Sequence, residues 1–181
     1  MSEELELLIL VAGRLDAAHI PYMLSGSTAM NVYAEPRMTR DIDIVIEIGA
    51  ADVSAIADAF APDFYCDVDM IRQAVEHRGS FNVIHTPTVI KVDFIVRKGT
   101  AYRRVEFDRR RTVTVDGHVI HVVAPEDLVL SKLVWAKPSH SEVQLRDVRN
   151  LIGCVRDLDW GYLERWAADL DVTDLLAEVR S

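Results

Sequence analysis

Residues 25–46 read SGSTAMNVYAEPRMTRDIDIVI, and two aspartates stand inside the apolar run that ends this stretch. Because side chains alternate between the two faces of a strand, Asp41 and Asp43 project from one face and the isoleucines from the other. We expect the isoleucine face to be buried. Like charges this close raise each other's proton affinity unless a cation neutralises them. Hard oxygen ligands suit magnesium, so the pattern favours a divalent metal site.

A second isolated carboxylate occurs in the run VIKVDFIV at residues 89–96. Asp93 shares a strand face with Lys91, and apolar side chains take the other face. If the two strands are neighbours, Asp93 joins Asp41 and Asp43 in a cluster that can hold two magnesium ions. Strand parity does not establish this adjacency. A solvated edge strand, or an ion pair between Asp93 and Lys91, explains the same residues.

A Gly-Ser turn precedes the aspartates, between a predicted strand at 22–24 and a predicted helix at 28–34. Backbone N–H groups at a helix start, together with a hydroxyl, form a phosphate site. Glycine lets phosphate approach the backbone closely. A purely structural turn is the alternative. Combined with the aspartates, Gly26 and Ser27 predict a phosphate cradle beside a metal site, as transfer of a phosphate-linked group requires.

Hydrophobic patterning predicts an α+β fold, in which a mixed β-sheet carries helices on one face and a helical segment follows. The expected elements are helices at 3–18, 51–60 and 68–77, a strand at 42–48, and hairpins at 80–96 and 111–123. The pattern is helical from Pro125 onward. Ser139 and Glu142 predict a capping box that opens a helix reaching about residue 156.

Bulk composition limits the possible partners. The chain has 181 residues, of which 50% are hydrophobic and 27% charged, as expected for a soluble domain. A formal net charge of −9 disfavours non-specific nucleic-acid binding and leaves a local basic site open. Two distant cysteines predict reduced thiols and a cytoplasmic location. No apolar stretch approaches the roughly 18 residues of a membrane span.

Basic side chains concentrate at residues 97–111, RKGTAYRRVEFDRRR, where seven Lys or Arg face two acidic residues. This stretch can guide a triphosphate or an RNA acceptor to a site. The alternative interpretation is a solvated loop and strand face.

The Gly-Ser pair, thirteen intervening residues and the Asp-Ile-Asp run, with Asp93 on a later strand, resemble the nucleotidyltransferase superfamily that includes polymerase β. The chain looks most like small stand-alone bacterial members, which include AbiEii-type toxins of toxin–antitoxin pairs and antibiotic-modifying enzymes. The resemblance covers about residues 20–97 and continues more weakly through 124–150. The chain departs from many relatives by lacking a glycine before Arg37, where Pro36 supplies a bend instead.

The resemblance assigns roles to the three aspartates. It implies that Asp41 and Asp43 bind magnesium. It implies that Asp93 binds a second magnesium ion and acts as the general base for the attacking hydroxyl. The catalytic core is then residues 1–123, and residues 124–181 form a helical C-terminal subdomain packed on it.

The resemblance also implies the substrates. Gly26 and Ser27 would hold the phosphates of a nucleoside triphosphate, with Arg40 and Lys132 as further nucleotide contacts. An acceptor oxygen would attack the α-phosphorus and release pyrophosphate.

Several acceptors and partners remain open on this resemblance. The acceptor is an RNA such as transfer RNA, which the basic stretch favours, or a small hydroxylated molecule such as an aminoglycoside, which the acidic charge favours. An antitoxin is a further implied partner. A non-catalytic module that binds nucleotide or a partner protein is the other alternative, and the intact set of three carboxylates weighs against it.

Overall fold

A computed structural model describes residues 2–36 and 41–180, which form a mixed seven-stranded sheet with helices packed against it. The strands are β1 (Tyr22–Ser25), β2 (Asp41–Ile46), β3 (Phe64–Tyr65), β4 (Ser80–His85), β5 (Ile90–Val96), β6 (Arg111–Val115) and β7 (His118–Val122). Their order across the sheet is β3-β4-β5-β2-β1-β7-β6. Strand β2 runs antiparallel to β1 and parallel to β5. The predicted α+β class is confirmed.

The helices follow the predicted pattern over most of the chain. They are α1 (Glu3–Ala17), α2 (Gly26–Tyr33), α3 (Val53–Phe60), α4 (Val68–His77), α5 (Ala101–Asp108), α6 (Pro125–Ala136), α7 (Glu142–Cys154), α8 (Trp160–Asp169) and α9 (Thr173–Arg180). A short 3-10 helix, Ala50–Asp52, precedes α3. Side-chain oxygens of Ser2, Asp67 and Thr100 accept N–H groups of the first turn and fix where α1, α4 and α5 begin.

Strand alternation divides β2 into a buried and a partly accessible face. Ile42 and Ile44 are at most 1% exposed, whereas the aspartates beside them are accessible or half-buried. Phe60 of α3 lies with its ring centroid 5.3 Å from that of Phe94 in β5, so α3 covers the buried face. Burying large apolar side chains there supplies the main driving force for the fold. The carboxylate face of β2 is left for other contacts.

Helix α6 is buried almost all round, and it continues the apolar core beyond the sheet. Leu128, Leu130 and Leu133 are at most 1% exposed and belong to the same hydrophobic cluster as the isoleucines of β2. The predicted helical segment after residue 124 is therefore present. Its status as a separate subdomain stays a prediction.

The sequence interpretation of residues 97–111 as a solvated loop and strand face is wrong for its central part, which forms α5. Tyr102 and Phe107 lie on the buried side of this helix. Because charged residues surround them in the sequence, hydrophobic periodicity does not indicate the helix. Arg103 and Arg109 pair with carboxylates of α5 and α6. Much of the local basic charge is therefore neutralised inside the protein.

Two smaller expectations also differ. Helix α7 begins at Glu142 with Ser141 as its N-cap, and the N–H of Ser139 donates to the carbonyl of Ala136 at the end of α6. The Ser139 capping box is therefore wrong, because that serine closes the preceding helix. Strand β3 was not predicted, since two residues are too few to show alternation.

No helix within residues 2–36 and 41–180 has both the length and the apolar character that crossing a bilayer requires.

Candidate active site

The register of two parallel strands brings the predicted carboxylates together. Asp43 of β2 is the partner of Asp93 in β5, and Asp41 is the partner of Lys91. Neighbouring strands lie about 4.8 Å apart and paired residues point to the same face. The adjacency that strand parity could not establish is therefore present, and Asp43 lies between Asp41 and Asp93.

Asp43 lies in an unfavourable environment for a negative charge. Burial raises the pKa of its carboxyl group, and the nearby charges of Asp93 and Asp41 raise it further. Lys91 and Lys132 oppose this effect. A bound divalent cation would relieve the repulsion among the three carboxylates.

Lys91 already supplies one positive charge to this cluster. Its Nζ donates to Asp93 Oδ2 at 2.7 Å and lies 3.8 Å from Asp41 Oδ1. The hydrogen bond to Asp93 raises the pKa of Lys91, so the ammonium stays charged. The predicted ion pair between Lys91 and Asp93 is therefore present beside the neighbouring aspartates, and the role of the three aspartates as metal ligands stays a prediction.

Gly26 is packed directly against Asp43. Ser25, at the end of β1, is the register partner of Asp43, and Gly26 follows with a φ of 63°. A β-carbon on Gly26 would lie 2.0 Å from Asp43 Oδ2. Both the left-handed backbone and this contact require glycine. The Gly-Ser turn is thus packed against the carboxylate face of β2.

The start of α2 opens into a cavity of about 220 Å³. Its lining includes Gly26, Ser27, Asp43, Ser131, Lys132 and Gln144. In the described part of the chain, the side chain of the N-cap Ser25 makes no capping hydrogen bond to the first turn. The first N–H groups of a helix lack intrahelical acceptors and attract anions. This smaller cavity therefore has the polarity of a phosphate site.

Lys132 reaches this smaller cavity from α6. Its side chain is only 4% exposed, and Nζ donates to Asp147 Oδ2 at 2.7 Å and to Gln144 Oε1 at 3.4 Å. A buried ammonium needs such a partner because desolvation penalises its charge. No local sequence pattern predicts Asp147 as the partner, because the pair joins two different helices.

A larger cavity of about 620 Å³ adjoins the smaller one. Ser25, Asp43, Ile95, Ser131 and Trp135 line both cavities. Asp93 lines only the larger cavity, whereas Gly26, Ser27 and Lys132 line only the smaller one. Asp43 therefore lies between the smaller cavity, which is polar, and the larger cavity, which Asp93 lines.

The larger cavity combines apolar walls with a basic rim. Val45, Ile95 and Val134 contribute apolar surface, and the Trp135 side chain is 68% exposed. Arg78 and Lys98 lie on the rim. Among the residues that the structure describes, neither cation makes an ion pair with a carboxylate. Such a surface suits a ligand with flat rings and negative charge.

The remaining predicted residues divide into placed and unplaced ones. The backbone carbonyl of Asp41 accepts a hydrogen bond from Thr28 Oγ1 at 3.0 Å, which ties α2 to β2. Arg40 lies outside the described residues. Within the described ranges, no three His, Cys, Asp or Glu side chains are already arranged to hold a metal. The oxygen donors and their mutual repulsion nevertheless fit a hard cation.

Several solved structures share this fold at low sequence identity. An antigenic nucleotidyltransferase-like protein from Paracoccidioides brasiliensis is 19% identical, with 97% of this chain and 91% of that chain covered and a TM-score of 0.60. The antibiotic-resistance factor ANT(2'')-Ia is 14% identical, with 98% and 91% covered and a TM-score of 0.52. The protein JHP933 from Helicobacter pylori is 15% identical, with 96% and 78% covered and a TM-score of 0.51.

These structures show that the chain has a nucleotidyltransferase-like fold. The family model described as the nucleotidyl transferase AbiEii toxin of a type IV toxin–antitoxin system matches residues 9–158. The chain belongs to the AbiEii nucleotidyltransferase family. No curated protein sequence is similar enough to count as a match.

Proposed function

We propose that this protein transfers a nucleoside monophosphate from a nucleoside triphosphate to an acceptor in a magnesium-dependent reaction. The observation that carries the proposal is the position of Asp43, at the junction of the two cavities and in register with Asp93. One compartment suits phosphates, and the other leaves room for an acceptor beside a carboxylate. Transfer of a nucleotidyl group needs both on opposite sides of one phosphorus atom.

The triphosphate would occupy the smaller cavity. Backbone N–H groups of Gly26 and Ser27 at the start of α2 would bind the β and γ phosphates. Lys132 would lie beside them, held by Asp147. Arg40 is proposed as a further nucleotide contact. The phosphates would give the buried ammonium of Lys132 a second anionic partner in addition to Asp147.

The acceptor would enter from the larger cavity. Asp93 would take the proton of the acceptor hydroxyl as its oxygen attacks the α-phosphorus. The new P–O bond forms as the bond to the pyrophosphate oxygen breaks, and pyrophosphate leaves with that electron pair. Magnesium, held by Asp41, Asp43 and Asp93, would supply the charge neutralisation that phosphoryl chemistry requires.

Nucleotide transfer to an acceptor tests this proposal. The protein is incubated with each labelled nucleoside triphosphate, magnesium and total RNA or an aminoglycoside panel. We expect label transfer with the wild type and at least about a hundredfold loss with Asp43→Asn. Asp58→Asn, an exposed carboxylate on α3, is the matched control and should retain activity. Nucleotide binding without transfer to any acceptor would instead indicate a non-catalytic binding module.

We propose RNA, such as transfer RNA, as the acceptor class. The exposed Trp135 offers a surface on which an unpaired base can stack, and Arg78 and Lys98 can contact a phosphodiester. A polycationic aminoglycoside, the alternative acceptor, would meet two like charges at this rim. The overall acidic charge still favours the aminoglycoside at long range, so the two acceptors are compared in the same assay.

Substitutions at the rim of the larger cavity separate the two acceptor classes. For an RNA acceptor, Trp135→Ala and Lys98→Gln should each raise the KM for RNA by about three- to tenfold and leave the KM for the triphosphate unchanged. For an aminoglycoside acceptor, Lys98→Gln should lower the KM. Initial rates at saturating triphosphate, measured over a range of acceptor concentrations, distinguish these results.

The family's description as the toxin of a type IV toxin–antitoxin system extends the proposal to a cytoplasmic protein opposed by an antitoxin. Induced expression of the wild type in bacteria should slow growth, whereas Asp43→Asn should not. Unimpaired growth at matched protein levels would contradict the toxin role and leave the enzymatic assay as the test of activity.

A further inference from the structure

Lys91 is the only one of the described lysines that contacts the carboxylate cluster directly. It lies on β5 two residues before Asp93, on the same face, and opposite Asp41 in the strand register. Its ammonium makes a 2.7 Å hydrogen bond to Asp93 and approaches Asp41 to 3.8 Å. It thus bridges the first and the third aspartate, with Asp43 between them.

We propose that Lys91 is a built-in counter-cation for the three aspartates and that divalent metal binding competes with it. This inference rests on the proposed function, because it takes Asp41, Asp43 and Asp93 as the metal-binding groups. The ammonium and a metal ion would use the same Asp93 oxygen. Two cations at one carboxylate also repel each other, so the binding of one disfavours the other.

The side chain of Lys91 is suited to leave the cluster. It is 41% exposed, on a flexible four-carbon stem, so its ammonium can move into solvent and be hydrated there. Lys132 cannot play this role, because its ammonium is buried and already bound to Asp147. When Lys91 withdraws, the Asp93 oxygen that it held becomes available to the metal ion. Lys91 would therefore keep the site inactive until a divalent ion is present.

Competition has two measurable consequences. Removing the ammonium should tighten metal binding, since the metal no longer displaces it. The same substitution should destabilise the metal-free protein, because Asp93 and Asp41 lose a positive charge that lies beside them. A lysine with a purely structural role would produce the second effect without the first.

The test measures binding of Mn²⁺ alone, without nucleotide, by calorimetry and by the electron paramagnetic resonance signal of the free ion. Lys91→Met removes the charge and keeps the apolar stem. Lys91→Arg retains the charge and serves as the conservative variant. Lys137→Met is the matched control, because Lys137 pairs with the exposed Asp171 and has no contact with the three aspartates. Asp43→Asn reports whether binding occurs at the proposed site.

We expect Lys91→Met to bind Mn²⁺ about tenfold more tightly than the wild type, and Lys91→Arg and Lys137→Met to stay within about threefold. Mn²⁺ should also raise the melting temperature more for Lys91→Met than for the wild type. If Lys91→Met binds Mn²⁺ as tightly as the wild type or more weakly, and Asp43→Asn abolishes binding, the proposed role of Lys91 is overturned and the metal site is not. Absence of binding in every variant, or binding unaffected by Asp43→Asn, would overturn the metal site and with it the proposed mechanism.

Discussion

Gly26 occupies a position that other residues cannot take without strain. Its φ is 63°, and Asp43 Oδ2 fills the space where a β-carbon would lie. A left-handed backbone costs a non-glycine residue about 1–2 kcal/mol, and displacement of a half-buried carboxylate adds to this cost. The glycine therefore matters for stability as well as for the proposed approach of a phosphate.

Gly26→Ala should lower the free energy of unfolding by at least about 2 kcal/mol. Gly13→Ala is the matched control, because Gly13 lies inside α1 with no atom within 4 Å of an added β-carbon. That control should stabilise the protein by about 0.5–1 kcal/mol. Urea denaturation of both variants gives the comparison, and a neutral Gly26→Ala would contradict the close packing against Asp43.

The negative charge of Asp43 is unfavourable in the folded, metal-free protein. Burial and its two acidic neighbours disfavour its ionised form. Because the ionised form is disfavoured in the folded state, Asp43→Asn should raise the free energy of unfolding of the metal-free protein at neutral pH. Urea denaturation in the presence of a chelator measures this change. A destabilised Asp43→Asn protein would show that the carboxylate has a structural role instead.

Helix α5 connects the basic stretch to the helices that follow the sheet. Arg109 donates to Asp127 and Glu126 of α6, and its guanidinium carbon lies 3.9 Å from the ring centroid of Tyr162 in α8. Both carboxylates are at most 2% exposed. Breaking such a pairing removes the closest counter-charge of two buried carboxylates, which is strongly destabilising. Arg109, one of the seven basic residues expected to guide a substrate, therefore stabilises the packing of α5 against α6 and α8.

Arg109→Met should destabilise the protein by about 2 kcal/mol or more, a value lowered from the fully buried case because the Arg109 side chain is 34% exposed. Arg104→Met, on the same helix with an exposed side chain, should change stability by less than about 0.5 kcal/mol. Equilibrium unfolding of the two variants tests the difference. Equal losses of stability would mean that the net charge of α5, and not the buried pairing of Arg109, determines the effect.

Sequence patterns predicted helices and strands most accurately where one face is buried and the element is long enough to show a periodic pattern of apolar residues. Helix α4 has the predicted bounds, and both hairpins form as expected. Helix α5 was missed because its apolar side chains are few and separated by charges, so its helical state depends on α6 and α8. The predicted capping box at Ser139 was wrong because Ser139 closes the end of α6, and Ser141 is the N-cap of α7.

A continuous core joins the sheet to the helices that follow it. Leu163 of α8 and Ile44 of β2 are both fully buried in one hydrophobic cluster, and Tyr102 packs its ring 5.1 Å from that of Trp166. Apolar burial on both sides of residue 124 couples their unfolding. The C-terminal helices should therefore not unfold as an independent unit, even if they form a recognisable subdomain.

Leu163→Ala should destabilise the whole protein by about 2–5 kcal/mol and shift a single calorimetric transition to lower temperature. Agreement between the calorimetric and van't Hoff enthalpies of the wild type and the variant checks this cooperativity. Two separate transitions, with only one shifted by the substitution, would instead support independent stability of residues 124–181.

Local periodicity in the sequence was sufficient to place Asp41 and Asp43 on one face of a strand and to set a glycine turn before them, because backbone geometry alone governs these relations. It could not determine that β5 lies beside β2, that Lys91 bridges two of the aspartates, or that Lys132 approaches from a helix about ninety residues later. Those contacts depend on strand order and helix packing, which arise from burial summed over the whole chain. The carboxylates are thus a property of the sequence, and the two cavities that meet at Asp43 are a property of the tertiary structure.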